Sequence, residues 1–217
     1  MNSVLPICEN TDINNEHLKT FCRQINANAT PLLVPVIPTP LPFANCYWNV
    51  EAVVGKFGGR FCLGWDISSW PGSHLSAVHH AVYLDAHGNL HDVTERQQGS
   101  SDMNNTIFLP DTTFSINLNS VPAISMKFFV IKESNEVNNY ISAYQRFNKT
   151  EKEISKFIYD LGFRCESNRA IAMGQPIPYT TIPGDKVAVY QDIDARMNKA
   201  KQKITETIIS LRGLTEN

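Results

Sequence analysis

The chain lacks most of the devices by which a sequence declares a class. Its five cysteines, Cys8, Cys22, Cys46, Cys62 and Cys165, are odd in number, widely spaced and form no Cys-x-x-Cys pair. That pattern excludes a disulfide framework and a cysteine-rich zinc site, and it fits a reducing compartment. No run approaches the roughly eighteen consecutive apolar residues of a spanning helix, and Met1–Asn15 has neither the basic start nor the apolar run of a secretory signal. One-sided charge is missing too: 19 basic against 21 acidic residues give a net charge of −2. Nucleic acid and membrane surfaces are therefore not the expected partners. There is no internal repeat and no low-complexity tract. The expectation is a cytoplasmic protein, or one delivered by a signal-peptide-independent secretion route.

What is present is 217 residues, 42% hydrophobic, enough to bury a substantial core. Ile13, Leu18, Phe21, Cys22 and Ile25 recur at near-helical spacing within 12–28. The "TPLLVPVIPTPLP" that follows carries five prolines in thirteen residues, which predicts an extended, loop-like approach rather than a central strand. Cys46, Val50, Val53 and Phe57 then mark a helix from about Cys46 to Phe57, with Asn45 as N-cap and Gly58-Gly59 as stop. Short strand-like runs follow, "RFCLGWDI", "VHHAVYLD", "LHDVTE", "TIFLP", "TFSINL" and "SMKFFVIK". They predict an antiparallel sheet. From Ser134 the texture is helical, ending in a long segment that carries Ile193, Met197, Ile204, Ile208 and Leu211 on one face, to dock on the body or on a partner. The chain divides into an N-terminal helix and lead-in (1–40), an α+β core (41–133) and a helical C-terminal region packed on it (134–217).

Chemistry concentrates at two places. Cys46 opens a helix, where the peptide dipoles and unpaired N–H groups favour a thiolate and can hold an oxyanion, with Asn45 as a further contributor. Its other reading is packing. Five of the six histidines lie between Ser73 and Arg96. In "HHAVYLDAHGNLHDVTE" alternation on both sides of a glycine turn predicts a β-hairpin. A three-residue Ala86-His87-Gly88 loop puts His80 on the face of Asp92; a two-residue loop would put His79 there instead. The first is preferred because it gives the positive φ to glycine. A carboxylate beside such a histidine fixes its tautomer and stabilises its cation, as a general base acting on a thiol requires. "GWDISSWPGSH" reads as a loop over that site, with Trp65 and Trp70 as substrate contacts or as core. A histidine-carboxylate metal site is the rival reading, but the spacing is poor for it. No metal and no cofactor is expected.

The order Cys46, His80 in "HAVYLD" and Asp92 in "DVT" resembles the papain-like and transglutaminase-like cysteine hydrolase superfamily, with Val93 where proline is usual. Over Asn45–Glu95 the pattern "NCYWNV…GG…GW…HHAVYLDAHGNLHDVT" is also similar to small bacterial proteins of unassigned activity. The resemblance implies a papain-like fold, with an N-terminal catalytic helix on an antiparallel sheet. It also implies acyl chemistry at a peptide or carboxamide carbonyl: hydrolysis, deamidation or transfer to an amine. The alternatives are a partner-binding protein on the same scaffold, using its C-terminal helix, and a metal-dependent hydrolase.

Overall fold

The computed structural model describes residues 5–97 and 104–215; the first four residues of the Met1–Asn15 stretch and the last two of the C-terminal region lie outside it. Five strands close into a mixed barrel. They are β1 (Leu32–Leu41), β2 (Arg60–Trp70), β3 (His74–Leu84), β4 (Leu90–Thr94) and β5 (Asn105–Pro110), in the order β2-β5-β1-β4-β3, with β3 pairing back onto β2. A sixth, β6 (Lys127–Val130), adds to β3. Around the barrel stand α1 (Glu16–Ile25), α2 (Cys46–Phe57), α3 (Asn135–Asp160), α4 (Glu166–Ala172) and α5 (Val187–Thr215).

This architecture corrects the expected papain-like arrangement of a helix on an antiparallel sheet. The class is α+β, but the sheet is closed, and β1 runs parallel to β4. The difference originates in the proline-rich stretch, which is a barrel strand between β5 and β4 rather than a loop. Pairing to β4 is marked at Val36 with Asp92 and Leu41 with Thr94, with an irregularity between them. Pro38 and Pro40 fall inside that irregular stretch, where the missing N–H groups interrupt no regular ladder. "TFSINL", expected as a strand, is not one: Ile116 and Leu118 pack against the α2 core instead.

Strand parity sorts the side chains. Inside the barrel Val34, Val82 and Phe108 form a buried cluster with Cys62 and Leu90 beside it. Two residues along the same faces, from Val82 to His80, Phe108 to Thr106 and Leu90 to Asp92, the lining turns polar. The outer face is apolar and covered by helices. Leu18, Phe21 and Cys22 of α1 pack on Trp65, Ile67, Leu75 and Ala77, while Tyr47, Trp48 and Val50 of α2 pack on Ala81, Tyr83 and Val93. Val137 and Tyr140 of α3 and Ile208 and Leu211 of α5 enclose Trp70. The apolar face of the C-terminal helix is thus spent on the chain's own body. Among the described residues no helix is long and apolar enough to cross a membrane.

Helix ends follow local chemistry. Asn15 caps α1, its Oδ1 accepting from His17 N at 2.9 Å, and Ser134 caps α3, its Oγ accepting from Val137 N at 3.2 Å. α2 ends at Gly58, whose φ of 74° is the left-handed value that glycine accepts without strain.

Candidate active site

β3 pairs with β2 along its whole length, but on its other flank with β6 over His74–Ala77 and with β4 only at Tyr83 and Leu84. Between those pairings the flank is open among the described residues. His80 stands there, and the first residue of α2, Cys46, meets it.

The β3–β4 hairpin sets which histidine this is. Asp85 N donates to Asn89 O at 3.0 Å and Gly88 N to Asp85 O at 3.2 Å, with Gly88 at φ 86°, so the loop is the three-residue Ala86-His87-Gly88. Tyr83 pairs with His91 and Leu84 with Leu90, and the same count puts Asp92 diagonal to His80 on one face. His80 Nε2 lies 2.9 Å from Asp92 Oδ2, and the Cys46 side chain, lining the same cleft, is close enough to act on the imidazole's charge. With Nε2 taken by Asp92, Nδ1 is the nitrogen left for the sulfur.

Asp92, 1% exposed, is fully engaged. Its Oδ1 accepts from Thr94 N at 3.0 Å, and its Oδ2 from Thr106 Oγ1 at 2.6 Å as well as from His80. Burial opposes its ionisation, but the His80 charge and these donors outweigh burial and hold the carboxyl below its ordinary value. Burial likewise opposes protonation of His80. Attraction by Asp92 and then by Cys46, with the hydrogen bond to Asp92, overrides it and lifts the imidazole well above the usual histidine range.

The helix end supplies donors. The i→i−4 bonding of α2 starts with Asn49 N to Asn45 O at 2.9 Å, so the N–H groups of Cys46, Tyr47 and Trp48 have no acceptor within the helix. The chain enters through Ala44 at φ 58°, a left-handed position unusual for alanine. Asn45 stands at the N-cap position, as expected, but its side chain is turned elsewhere. Its side chain makes no capping bond; Nδ2 donates to Asn49 Oδ1 (3.1 Å) and Asn168 O (3.0 Å), and Oδ1 accepts from Asn168 Nδ2 (3.1 Å). It ties α2 to α4.

For the two tryptophans the core reading is the one that agrees with the structure, and the loop reading is corrected. Gly64–Trp70 is strand rather than loop, and Trp65 and Trp70 are buried. Trp65 donates Nε1 to Asp111 Oδ2 at 2.9 Å beneath α1, and Trp70 packs edge-on to Tyr140. His79, the reserve base, points to the barrel's outer face, its Nδ1 2.8 Å from Tyr47 OH and its ring against Trp65 and Phe114. Burial lowers its pKa to about 4, and among the described residues no carboxylate bonds it. His91 Nε2 bonds Asp85 Oδ2 at 3.1 Å, in the same turn whose exposed tip is His87. His74 is buried against Ser73 Oγ at 2.9 Å. Among the described residues no three His, Cys, Asp or Glu side chains are grouped as a metal ion would need.

Cys46, His80 and Asp92 line a cleft of about 340 Å³ that Pro122 and Ile124, of the loop before β6, and Phe147, Asn148 and Glu151 of α3 also line. A larger cavity of about 810 Å³, mostly apolar, lies between α2, β1 and α4, shares Trp48 with the cleft and touches none of the three. Sequence reasoning missed Thr94, Arg96 and Thr106. The alternation Asp92, Thr94, Arg96 was a signal for the first two, since three polar residues at period two on a buried strand face ask for a polar interior. Nothing local marks Thr106, which reaches Asp92 across β1, the strand that lies between theirs. Compared with known proteins, the chain matches no family model, no curated protein and no solved structure.

Proposed function

We propose that the protein is a cysteine-dependent amide hydrolase or acyltransferase acting on a peptide or carboxamide substrate. The observation that carries this reading is one imidazole held between the Cys46 thiol and a buried carboxylate. Cys46 passes its proton to His80 Nδ1, and the thiolate attacks the carbonyl carbon. The oxyanion that forms is stabilised by the unpaired N–H groups of the first turn of α2. As the tetrahedral adduct collapses, His80 protonates the departing amine or ammonia, leaving a thioester on Cys46. Water or an acceptor amine then attacks the thioester with His80 as base, releasing acid or a new amide and restoring the thiol. Asp92 stabilises the His80 cation throughout. The order Cys46, His80, Asp92, which resembles that of the papain-like and transglutaminase-like cysteine hydrolases, supports the same chemistry, although the fold that the resemblance implied is not the one found.

The test is iodoacetamide at neutral pH with peptide mapping by mass spectrometry. Burial raises the other four thiols, Cys8, Cys22, Cys62 and Cys165, above their ordinary values, which slows their alkylation. Cys46 is expected to label first, and His80→Ala to slow that labelling while leaving the other four unchanged. Equal labelling across the five cysteines overturns the reading.

A further inference from the structure

We infer that Thr106 and Arg96 are positioning residues for the thiol chemistry: together they fix which nitrogen of His80 carries the proton. The inference rests on the reading of Cys46 as nucleophile and His80 as its base. Arg96 is buried, and its Nη1 lies 2.8 Å from Thr106 Oγ1 and 3.3 Å from each Asp66 carboxylate oxygen. A guanidinium can only donate. Thr106 Oγ1 must therefore accept from Arg96, and its one proton is directed to Asp92 Oδ2, 2.6 Å away. Asp92 then receives three donors, the Thr94 N–H, the Thr106 hydroxyl and His80 Nε2. A carboxylate so filled accepts and does not donate, so His80 Nε2 must carry a proton in both charge states of the ring. Neutral His80 is thereby held as the Nε2–H tautomer, with the lone pair of Nδ1 turned to Cys46. A base that must take the thiol proton needs that tautomer.

The direction of donation runs one way along the whole chain, from Arg96 through Thr106 to Asp92. Three strands and a loop supply it: Asp66 from β2, Asp92 from β4, Thr106 from β5, and Arg96 just beyond β4. Asp92 and Thr106 sit on strands separated by β1, where Val36 pairs with Asp92 and Val34 with Thr106, so their contact crosses the barrel interior. Asp66, with its side chain 27% exposed, compensates the Arg96 charge at the outer end. The hydroxyl of Thr106 matters here and its methyl does not. Thr106→Val keeps the shape and removes the donor; Thr106→Ser keeps the donor.

The experiment uses the full-length protein, iodoacetamide as the reagent for Cys46, and nitrogen-15 NMR of the His80 ring for its tautomer. Thr106→Val is expected to slow Cys46 alkylation at neutral pH about tenfold, the loss of one hydrogen bond to a charged group, and to populate the Nδ1–H tautomer. Thr106→Ser is expected to retain wild-type rate and tautomer. A Thr106→Val protein with both unchanged overturns the inference. Wild-type protein in which Cys46 labels no faster than Cys8 overturns the nucleophile assignment instead, and the tautomer of His80 still decides the role of Thr106. If Thr106→Val does not fold, the wild-type Thr106 hydroxyl proton decides: slow exchange and a downfield shift support donation to Asp92, and fast exchange overturns it.

Discussion

His80 Nε2 and Asp92 Oδ2 face each other at 2.9 Å across neighbouring strands, with Asp92 1% exposed and the His80 side chain 12% exposed. The pair is shielded from water on the carboxylate side and open to the cleft on the imidazole side. A charge pair so placed acts on whatever meets the free ring nitrogen, and Cys46 is what meets it.

Asp92→Asn is expected to cut Cys46 alkylation by about a hundredfold or more at neutral pH, because an amide in that place can present a donor to His80 and reverse its tautomer. Circular dichroism should show the fold retained. An Asp92→Asn protein that alkylates at the wild-type rate would remove Asp92 from the mechanism.

Two buried histidines make the fold acid-sensitive. Burial lowers both His74 and His79 to about 4. Between that value and the ordinary histidine range the unfolded chain binds protons that the folded one does not, so stability is present above about pH 6.5 and is lost as pH falls towards 4. Each histidine accounts for up to about 3 kcal/mol of that loss. His80, raised rather than lowered, acts oppositely: its stabilisation is full at low pH and disappears as pH rises through its folded value. Urea titrations from neutral to acid pH should show a falling midpoint, and His74→Gln should flatten the fall.

Gly64 pairs with His80 across β2 and β3, and a Cβ there would meet the Leu109 carbonyl and, at 2.6 Å, Cζ of Phe108. Gly64→Ala is expected to destabilise the protein by about 3 kcal/mol, the upper end of overpacking costs, since a backbone carbonyl cannot swing aside. Chemical denaturation measures it. A midpoint within error of wild type would show that β2 and β5 can separate there at no cost.

Asn45→Ala separates structure from catalysis. It removes three hydrogen bonds that link α2 to itself and to α4. A loss of about 2 kcal/mol in stability is expected, with the Cys46 alkylation rate within about twofold of wild type. A large fall in rate at unchanged stability would restore Asn45 to the site.

How much was legible follows from the range of the interactions. The helix at Cys46–Phe57 is read from apolar spacing and the Gly58 stop, which are local, and the β3–β4 loop from the one glycine that tolerates positive φ. Pairing His80 with Asp92 needed only that loop length, because strand parity propagates from it. The prolines of β1 misled because their missing donors argue against a regular ladder, and the ladder they enter is irregular at that point. Trp65 and Trp70 misled because glycine, serine and proline around them look like a loop, while the β2–β3 hairpin carries them beneath α1 and α3.

The sequence by itself determined the chemistry-bearing types and their local frames: a thiol at a helix start, an imidazole on a strand and an acid one hairpin later. Those depend on φ/ψ preferences and side-chain periods that act over a few residues. Only the tertiary structure decided that the sheet closes, that Thr106 reaches Asp92 beyond β1, that Asn45 turns to α4 and that α3 walls the cleft. Each of those depends on residues far apart in the chain meeting when the barrel curls and the helices pack, and no local preference encodes where a curved sheet meets itself.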